Sequence, residues 1–331
     1  MAKRLLNYSP KEMLALKPRE LKEAIRLSEG RTVHVLARVS APNLVQYVSN
    51  PEVAAAFGAD MVGINAYDPT NPLFPGLPSK NPKDDEATKK LQIQIGKGWT
   101  LREVRELIGR PVSIDLEVPP GYGGEVDQEL VSVDVKTGRV TLGMLFTREN
   151  AELAISQGPD ILGVGGRGRQ EEVLQCVPDA KKLVGDRCLL AAGIEHLLGS
   201  TVGGKKPYDL RKLITPETVR SLAESGADII QIPAAGCFPG YDISYVHRLF
   251  DVIHEYDCLA EAGLQWSQEG ADAETIKRLA INNKMAGMDI LNLGDAGLNE
   301  SVSLPENIMA ACIAIKGRRH TYRRMAESIL R

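Results

Sequence analysis

The sequence predicts an α/β protein, a single (β/α)8 (TIM) barrel. Three observations carry that prediction. Eight short apolar runs recur along the 331 residues, a helical pattern follows each, and polar residues and glycines gather where the runs end. Runs of four to eight apolar residues are expected of parallel strands covered on both faces. Eight strand-then-helix units point to a single closed barrel.

The runs are Val33–Val39, Met61–Ala66, Val112–Val118, Ile161–Val164, Cys188–Ala192, Ile229–Ile232, Leu259–Leu264 and Ile290–Leu293. The helical patterns are Asn50–Phe57, Leu101–Ile108, Arg148–Ser156, Glu171–Leu183, Pro216–Glu224, Ile243–Glu255, Ala273–Met285 and Pro305–Ile315. Ahead of them, Ser9-Pro10-Lys11-Glu12 has the form of a capped helix start. A second helix is expected over Arg19–Ser28. Both are expected to close the end of the barrel where strands begin.

The chain exceeds a typical barrel of about 250 residues. The excess divides it into an N-terminal helical cap (1–30), the barrel (31–316) and a C-terminal helical extension (317–331). The loop after the second run, with Pro69, Pro72, Pro75, Pro78 and Pro82, is long enough to be a lid. Leu130–Val135 and Val140–Leu142 alternate about Lys136-Thr137-Gly138-Arg139 and predict a β-hairpin insertion after strand 3. The helix ending at Gly317 is followed by Arg318-Arg319-His320 and Arg323-Arg324, expected to be a solvated face. No internal repeat beyond the strand–helix unit is expected.

A net charge of -3 with mixed signs argues against a nucleic-acid or membrane partner. Five scattered cysteines without a CxxC pattern predict reduced thiols. With no signal-like apolar segment at Met1–Leu6, a cytoplasmic location is expected. The extra loops suggest a homo-oligomer.

Active sites of such barrels lie at the C-terminal ends of the strands. Strand side chains alternate faces, so Asp115 and Glu117 on the third strand point together into the barrel, about 7 Å apart at the backbone. Two carboxylates in one interior call for a cation or a retained proton. They are the candidate ligands for Mg²⁺ or Mn²⁺, which accept one or two carboxylates plus water. Arg38 on the first strand, itself a candidate catalytic residue, offers the alternative of a structural salt bridge with them. His34, Glu261, Gln265, Glu269 and Asn292 add polar groups at other strands. Glu195 and His196 follow the fifth strand, and His196 is the expected general acid or base.

Two glycine-rich turns are candidate anion cradles. Gly165, Gly166 and Arg167 follow the fourth strand. Gly294, Asp295 and Gly297 follow the eighth. The Gly163-x-Gly165-x-x-Gly168 spacing sits on one strand among eight, so no nucleotide cofactor is expected. No lysine stands at a strand end for Schiff-base chemistry, and no Gly-x-Ser-x-Gly or His-Glu-x-x-His motif occurs.

With glycine-rich turns after strands four and eight, residues 31–315 resemble the phosphate-binding (β/α)8 barrel enzymes. Through Asp115 and Glu117 the chain also resembles the phosphoenolpyruvate mutase and isocitrate lyase group, metal-dependent barrels that act on oxo-acids. That resemblance implies a metal-assisted lyase or isomerase acting on a small anionic metabolite, a phosphorylated sugar or oxo-acid. The group's hallmark loop sequences are absent, and no catalytic residue is carried over from it. The alternatives are a metal-dependent phosphate-ester hydrolase and a non-catalytic metabolite-sensing barrel.

Overall fold

Eight parallel strands close on themselves in chain order, β8 pairing with β1. They are β1 (Thr32–Arg38), β2 (Met61–Asn65), β3 (Val112–Glu117), β4 (Ile161–Gly165), β5 (Leu189–Gly193), β6 (Ile229–Pro233), β7 (Leu259–Leu264) and β8 (Ile290–Leu293). The computed structural model describes residues 3–136, 138, 140–166, 170–193 and 209–331. Helices α1 (Pro10–Leu14) and α2 (Pro18–Arg26) precede the barrel. Around it run α3 (Asn50–Ala56), α4 (Leu101–Ile108), α5 (Gln128–Lys136), α6 (Arg148–Ser156), α7 (Gln170–Val184), α8 (Pro216–Glu224), α9 (Ile243–Glu255), α10 (Ala273–Ala286) and α11 (Pro305–Ala326). No described helix is long and apolar enough to cross a membrane.

Strand alternation sorts the side chains. Val33, Val35, Ile114, Leu116, Leu162, Val164, Ile230, Ile232, Leu291 and Leu293 face outward and join the buried faces of the helices in one large core. Inward-facing Met61, Ile161, Leu189, Ile229, Leu259 and Ile290 form the lowest interior layer. Leu5, Met13, Leu21, Ala24 and Ile25 pack against that layer, so the N-terminal segment plugs the floor. Ser9 caps α1 as expected, with Glu12 returning a bond to its backbone.

The floor also carries a fourfold device. Asp60, Asp160, Asp228 and Asp289 each stand one residue before an even-numbered strand. Each carboxylate accepts the backbone N–H of the odd strand alongside: Val33 at 3.0 Å, Val112 at 2.9 Å, Leu190 at 3.0 Å and Ala260 at 2.8 Å. Each also takes a cationic or imidazole partner: Lys316 and Arg324, Arg105, Lys181, and His254 respectively. The sequence around each reads Gly-x-Asp then alternating apolar positions, as in Gly58-Ala59-Asp60-Met61 and Gly226-Ala227-Asp228-Ile229. The same Gly-x-Asp contact thus recurs at every second strand of the barrel.

Two expectations are corrected. Residues 128–136 form α5, not the first arm of a β-hairpin, and Leu142–Met144 is a helical turn. Val131 and Val135, four apart, share one helix face and pack with Val140, Met144 and Leu145. The same valines supply the alternation that reads as a strand, but among the described residues no strand lies alongside to pair with it. The basic C-terminal run is only partly solvated. The chain bends at Gly317 (φ 76°). Arg324, 3% exposed, returns to the floor, where it binds Asp60 and the carbonyls of Leu5 and Tyr8.

All five cysteines are unpaired as disulfides, and Cys176, Cys188, Cys258 and Cys312 are buried. Burial pushes the Cys188 thiol up to about 12 and the Cys312 thiol up to about 11.

Candidate active site

The C-terminal ends of the strands open into a cavity of about 80 Å³. Leu36, Arg38, Asn65, Asp115, Glu117, Gly165, Gly166, Gly193, Gln231, Gln265 and Asp295 are among its lining residues. Asp115 and Glu117 are both half-buried there, as the parity of β3 requires. Register explains how two acids fit side by side. Asp115 lies opposite Gly163 and Glu117 opposite Gly165 on β4. A β-carbon on Gly163 would overlap Asp115 Oδ1, and one on Gly166 would overlap Glu117 Oε2. The glycines of β4 and its turn therefore vacate the space that the two carboxylates occupy.

Arg38 reaches across the mouth to the β8 side. Its Nε donates to Asp295 Oδ2 at 2.9 Å, and a terminal nitrogen lies 3.6 Å from Glu300. Asn65 Nδ2 donates to the same Asp295 oxygen at 2.6 Å. Asp295 is thus the anchor of a polar cross-brace between β1, β2 and the turn after β8. That turn is closed upon itself: a side chain on Gly297 would meet the Val302 carbonyl at 2.7 Å. Gly294 faces Glu269 Oε1, which lies 2.7 Å from where its β-carbon would be. Gly165 and Gly166 line the mouth directly. Arg167, Glu195 and His196 lie outside the described residues. So do the remaining residues of the loop after β5 to Tyr208. The 69–98 loop folds on itself, with Asp85 accepting from the backbone of Ser79 and Ile95. It contributes no described residue to the mouth lining.

Below the mouth lies a buried polar layer. His34 Nδ1 is 3.0 Å from Glu261 Oε1, and His34 Nε2 is 2.9 Å from Ser113 Oγ. Asn292 also donates to Glu261 Oε1. The Ser–His–Glu order resembles a nucleophilic triad. All three groups are at most 4% exposed, beneath Leu36 and Asp115, so a substrate has no route to Ser113. This layer is a packing network, and a serine nucleophile is set aside.

Sequence reasoning did not select one further acid as a site residue. Glu269, in the helical turn after β7, is 2% exposed. Its Oε2 has no hydrogen-bond partner among the described residues, nor has the Nε2 of nearby Gln265. Burial, reinforced by the Asp295 carboxylate, pushes Glu269 up to about 7. The turn is strained: Trp266 and Ser267 have φ of 58° and 85°, values that non-glycine residues adopt at a cost. A glutamate five residues past the end of a strand carries no mark of burial in the sequence; the signal available was its nearness to Gln265 at the tip of β7.

Closed eightfold architecture and a polar mouth at the strand tips define the class: this is a (β/α)8 barrel. Within it, the chain belongs to the family described as "Domain of unknown function (DUF7916)", whose model matches residues 6–331. No curated protein matches it in sequence. Among solved structures it is similar to a Burkholderia cenocepacia J2315 protein described as a lyase/mutase, at 16% identity and TM-score 0.45, covering 83% of this chain and 81% of that one. It is similar to a Coccidioides immitis protein described as a fructose-1,6-biphosphate aldolase, at 13% identity and TM-score 0.48, covering 95% and 99%. It is also similar to 2,3-dimethylmalate lyase, of the PEP mutase/isocitrate lyase superfamily, at 12% identity and TM-score 0.41, covering 83% and 80%. At these values none of them identifies the chemistry of this chain.

Proposed function

We propose that the mouth is the active site of a metal-assisted enzyme of lyase or isomerase type acting on a small 2-oxo acid. The observation that supports it most is the Asp115–Glu117 pair, set side by side where β4 lacks side chains. No cluster of three or more His, Cys, Asp or Glu among the described residues could hold an ion. Two hard carboxylate donors nevertheless fit Mg²⁺ or Mn²⁺, whose remaining positions go to water and substrate oxygens. Asp115 and Glu117 would hold the ion. When bound, it would polarise a carbonyl and stabilise charge developing on its oxygen.

The chain's own residues do the rest. The cavity of about 80 Å³ is small and favours a small oxo-acid over a phosphorylated sugar. Backbone N–H groups at Gly165 and Gly166, leading toward the N-terminus of α7, suit the anionic end. Arg167 is the side chain proposed to assist there. Arg38 and Asn65 hold Asp295 and keep that wall in place.

The test is direct. Mg²⁺-dependent exchange of the protons beside the carbonyl is followed by ¹H NMR in D₂O for pyruvate, 2-oxobutyrate and oxaloacetate, alongside Mn²⁺ binding by calorimetry. Exchange and binding are expected for the wild type, and neither for Asp115→Asn or Glu117→Gln folded as the wild type is. Binding of an oxo-acid without exchange would instead favour a sensing barrel. Absence of Mn²⁺ binding by the wild type would make the acid pair structural and end the reading.

A further inference from the structure

We propose that Gln231 sets the specificity of this mouth by binding a neutral oxygen, a hydroxyl or carbonyl, on carbon 4 of the substrate, across the bare backbone of Gly165 and Gly193. The inference rests on the reaction class proposed above and names its substrates more closely: 2-oxo acids with an uncharged oxygen on carbon 4. Ile230 and Ile232 face outward into the core, so Gln231 between them points into the barrel, where it is half-buried and lines the cavity. Its side-chain amide has no hydrogen-bond partner among the described residues. An amide both donates and accepts, and leaving one unpaired inside a protein is costly. A ligand oxygen in the cavity would satisfy it.

Register leaves an open course between this amide and the acid pair. Glu117 lies opposite Gly165 on β4, and Gly193 of β5 lies opposite Gln231. The two glycines touch, since a β-carbon on Gly165 would meet the Gly193 carbonyl at 2.8 Å. One row therefore runs from the Glu117 carboxylate to the Gln231 amide over three strand spacings, about 14 Å, and its two middle members carry no side chain. An added β-carbon at Gly193 would come no nearer to the amide than 3.4 Å, at Gln231 Oε1, so the row is open there by more than a methyl group. With the substrate carbonyl at the acid pair and its carboxylate at the Gly165–Gly166 turn, carbons 3 and 4 lie along this row toward β6.

The charges on that side favour an uncharged oxygen. Glu261 of β7 stands in register beside Gln231, held by His34 and Asn292. Arg38, the one basic side chain among the described lining residues, is engaged by Asp295. A second carboxylate on the substrate would meet an acidic neighbour and no uncommitted cation among those residues, which is unfavourable in a partly buried site. A hydroxyl or carbonyl oxygen takes the amide without that penalty.

The experiment is calorimetric binding of 4-hydroxy-2-oxobutyrate, 2-oxobutyrate and oxaloacetate to the wild type and to Gln231→Met, each with Mg²⁺. The wild type is expected to bind the hydroxy compound about tenfold more tightly than 2-oxobutyrate, and more tightly than oxaloacetate. Gln231→Met is expected to bring the first ratio close to one. Methionine is similar in size and no described group loses a hydrogen-bond partner, so the variant should fold, with urea unfolding as the check. Three results would each overturn the assignment: wild-type affinities for the hydroxy compound and 2-oxobutyrate within about twofold of one another, a preference that Gln231→Met keeps, or tightest binding of oxaloacetate. The first and third need no variant. If the wild type binds none of the three, the proposed reaction class fails, and the side-chain amide NMR signal of Gln231, identified by its absence from Gln231→Met, decides the residue alone. A shift of that signal on adding hydroxyacetone supports the assignment; a signal that does not move overturns it.

Discussion

Gly163→Ala separates the acid pair from the fold that carries it. The new methyl would overlap Asp115 Oδ1, while the nearest described backbone atom, the Ile114 carbonyl, stays 3.4 Å away. The obstacle is the free end of a side chain, so the backbone need not move. The carboxylate has to retreat by roughly 1 Å or more, a misplacement of the size that costs about 100-fold in turnover. Gly163 lies within β4 and is not in the left-handed region, so alanine also reduces the entropy of the unfolded chain, worth about 0.4–1 kcal/mol. That gain offsets part of the crowding, and net stability should stay within about 1 kcal/mol of wild type. Gly193→Ala is the control: it also lines the mouth, but its methyl comes no nearer than 3.4 Å to a described atom, Gln231 Oε1. Urea unfolding reports stability, and Mn²⁺ calorimetry with oxo-acid exchange reports the site. Gly163→Ala should lose about 100-fold in exchange and weaken Mn²⁺ binding, and Gly193→Ala should lose neither. Wild-type Mn²⁺ affinity in Gly163→Ala would show that Asp115 does not serve as a ligand from its present position. A loss of more than about 3 kcal/mol of stability would show that the carboxylate does not yield, and the reasoning would fall with it.

Two predictions concern stability. Burial works against ionised Asp60, yet Lys316 and Arg324 outweigh it and hold its carboxyl below the ordinary range. Asp60→Asn leaves both cations buried without their partner and should cost about 3–5 kcal/mol in urea unfolding. Exposed Glu274→Gln, by comparison, should stay within about 0.5 kcal/mol, and equal effects would refute the role given to the floor. Glu269 ionises near 7 in the fold against an ordinary value near 4.5. Between those values the folded chain keeps a proton that the unfolded chain has lost, so stability falls as pH rises through that window and stays reduced above it. Glu269→Gln removes that slope and should be more stable than wild type at pH 8, by up to about 3 kcal/mol, with little gain at pH 5. Parallel pH profiles of unfolding free energy would refute it.

The barrel was legible because its strands are buried on both faces, and burial of that kind leaves unbroken apolar runs in the sequence. The Asp115–Glu117 pair was legible for a related reason: alternation on β3 leaves only two acids on the inner face. Arg38 shows where such reasoning stops. Parity places it inward on β1, but its choice of Asp295 depends on the closure of β8 onto β1, which no local pattern encodes. Val131 and Val135 satisfy both a strand's alternation and a helix's spacing of four, and only the absence of a partner strand decides between them. Glu269 went unselected because burial of a loop acid is a tertiary fact. The Gly-x-Asp recurrence was present in the letters at all four places and is short enough to pass unnoticed without the contacts that give it meaning.

Those four aspartates tie strands together in pairs, β1 with β2, β3 with β4, β5 with β6 and β7 with β8. Each carboxylate-to-strand bond is closed within its own quarter of the polypeptide, while Lys316 and Arg324, which complete the first clamp, come from α11, and Lys181, which completes the third, from α7. A cut between α7 and β5 would therefore sever no carboxylate from the strand it grips, and would hand two fastened strand pairs to each fragment. The molecule is segmented like a staved cask hooped at its base, with the chemistry at the open rim left free to diversify without loosening the hoops.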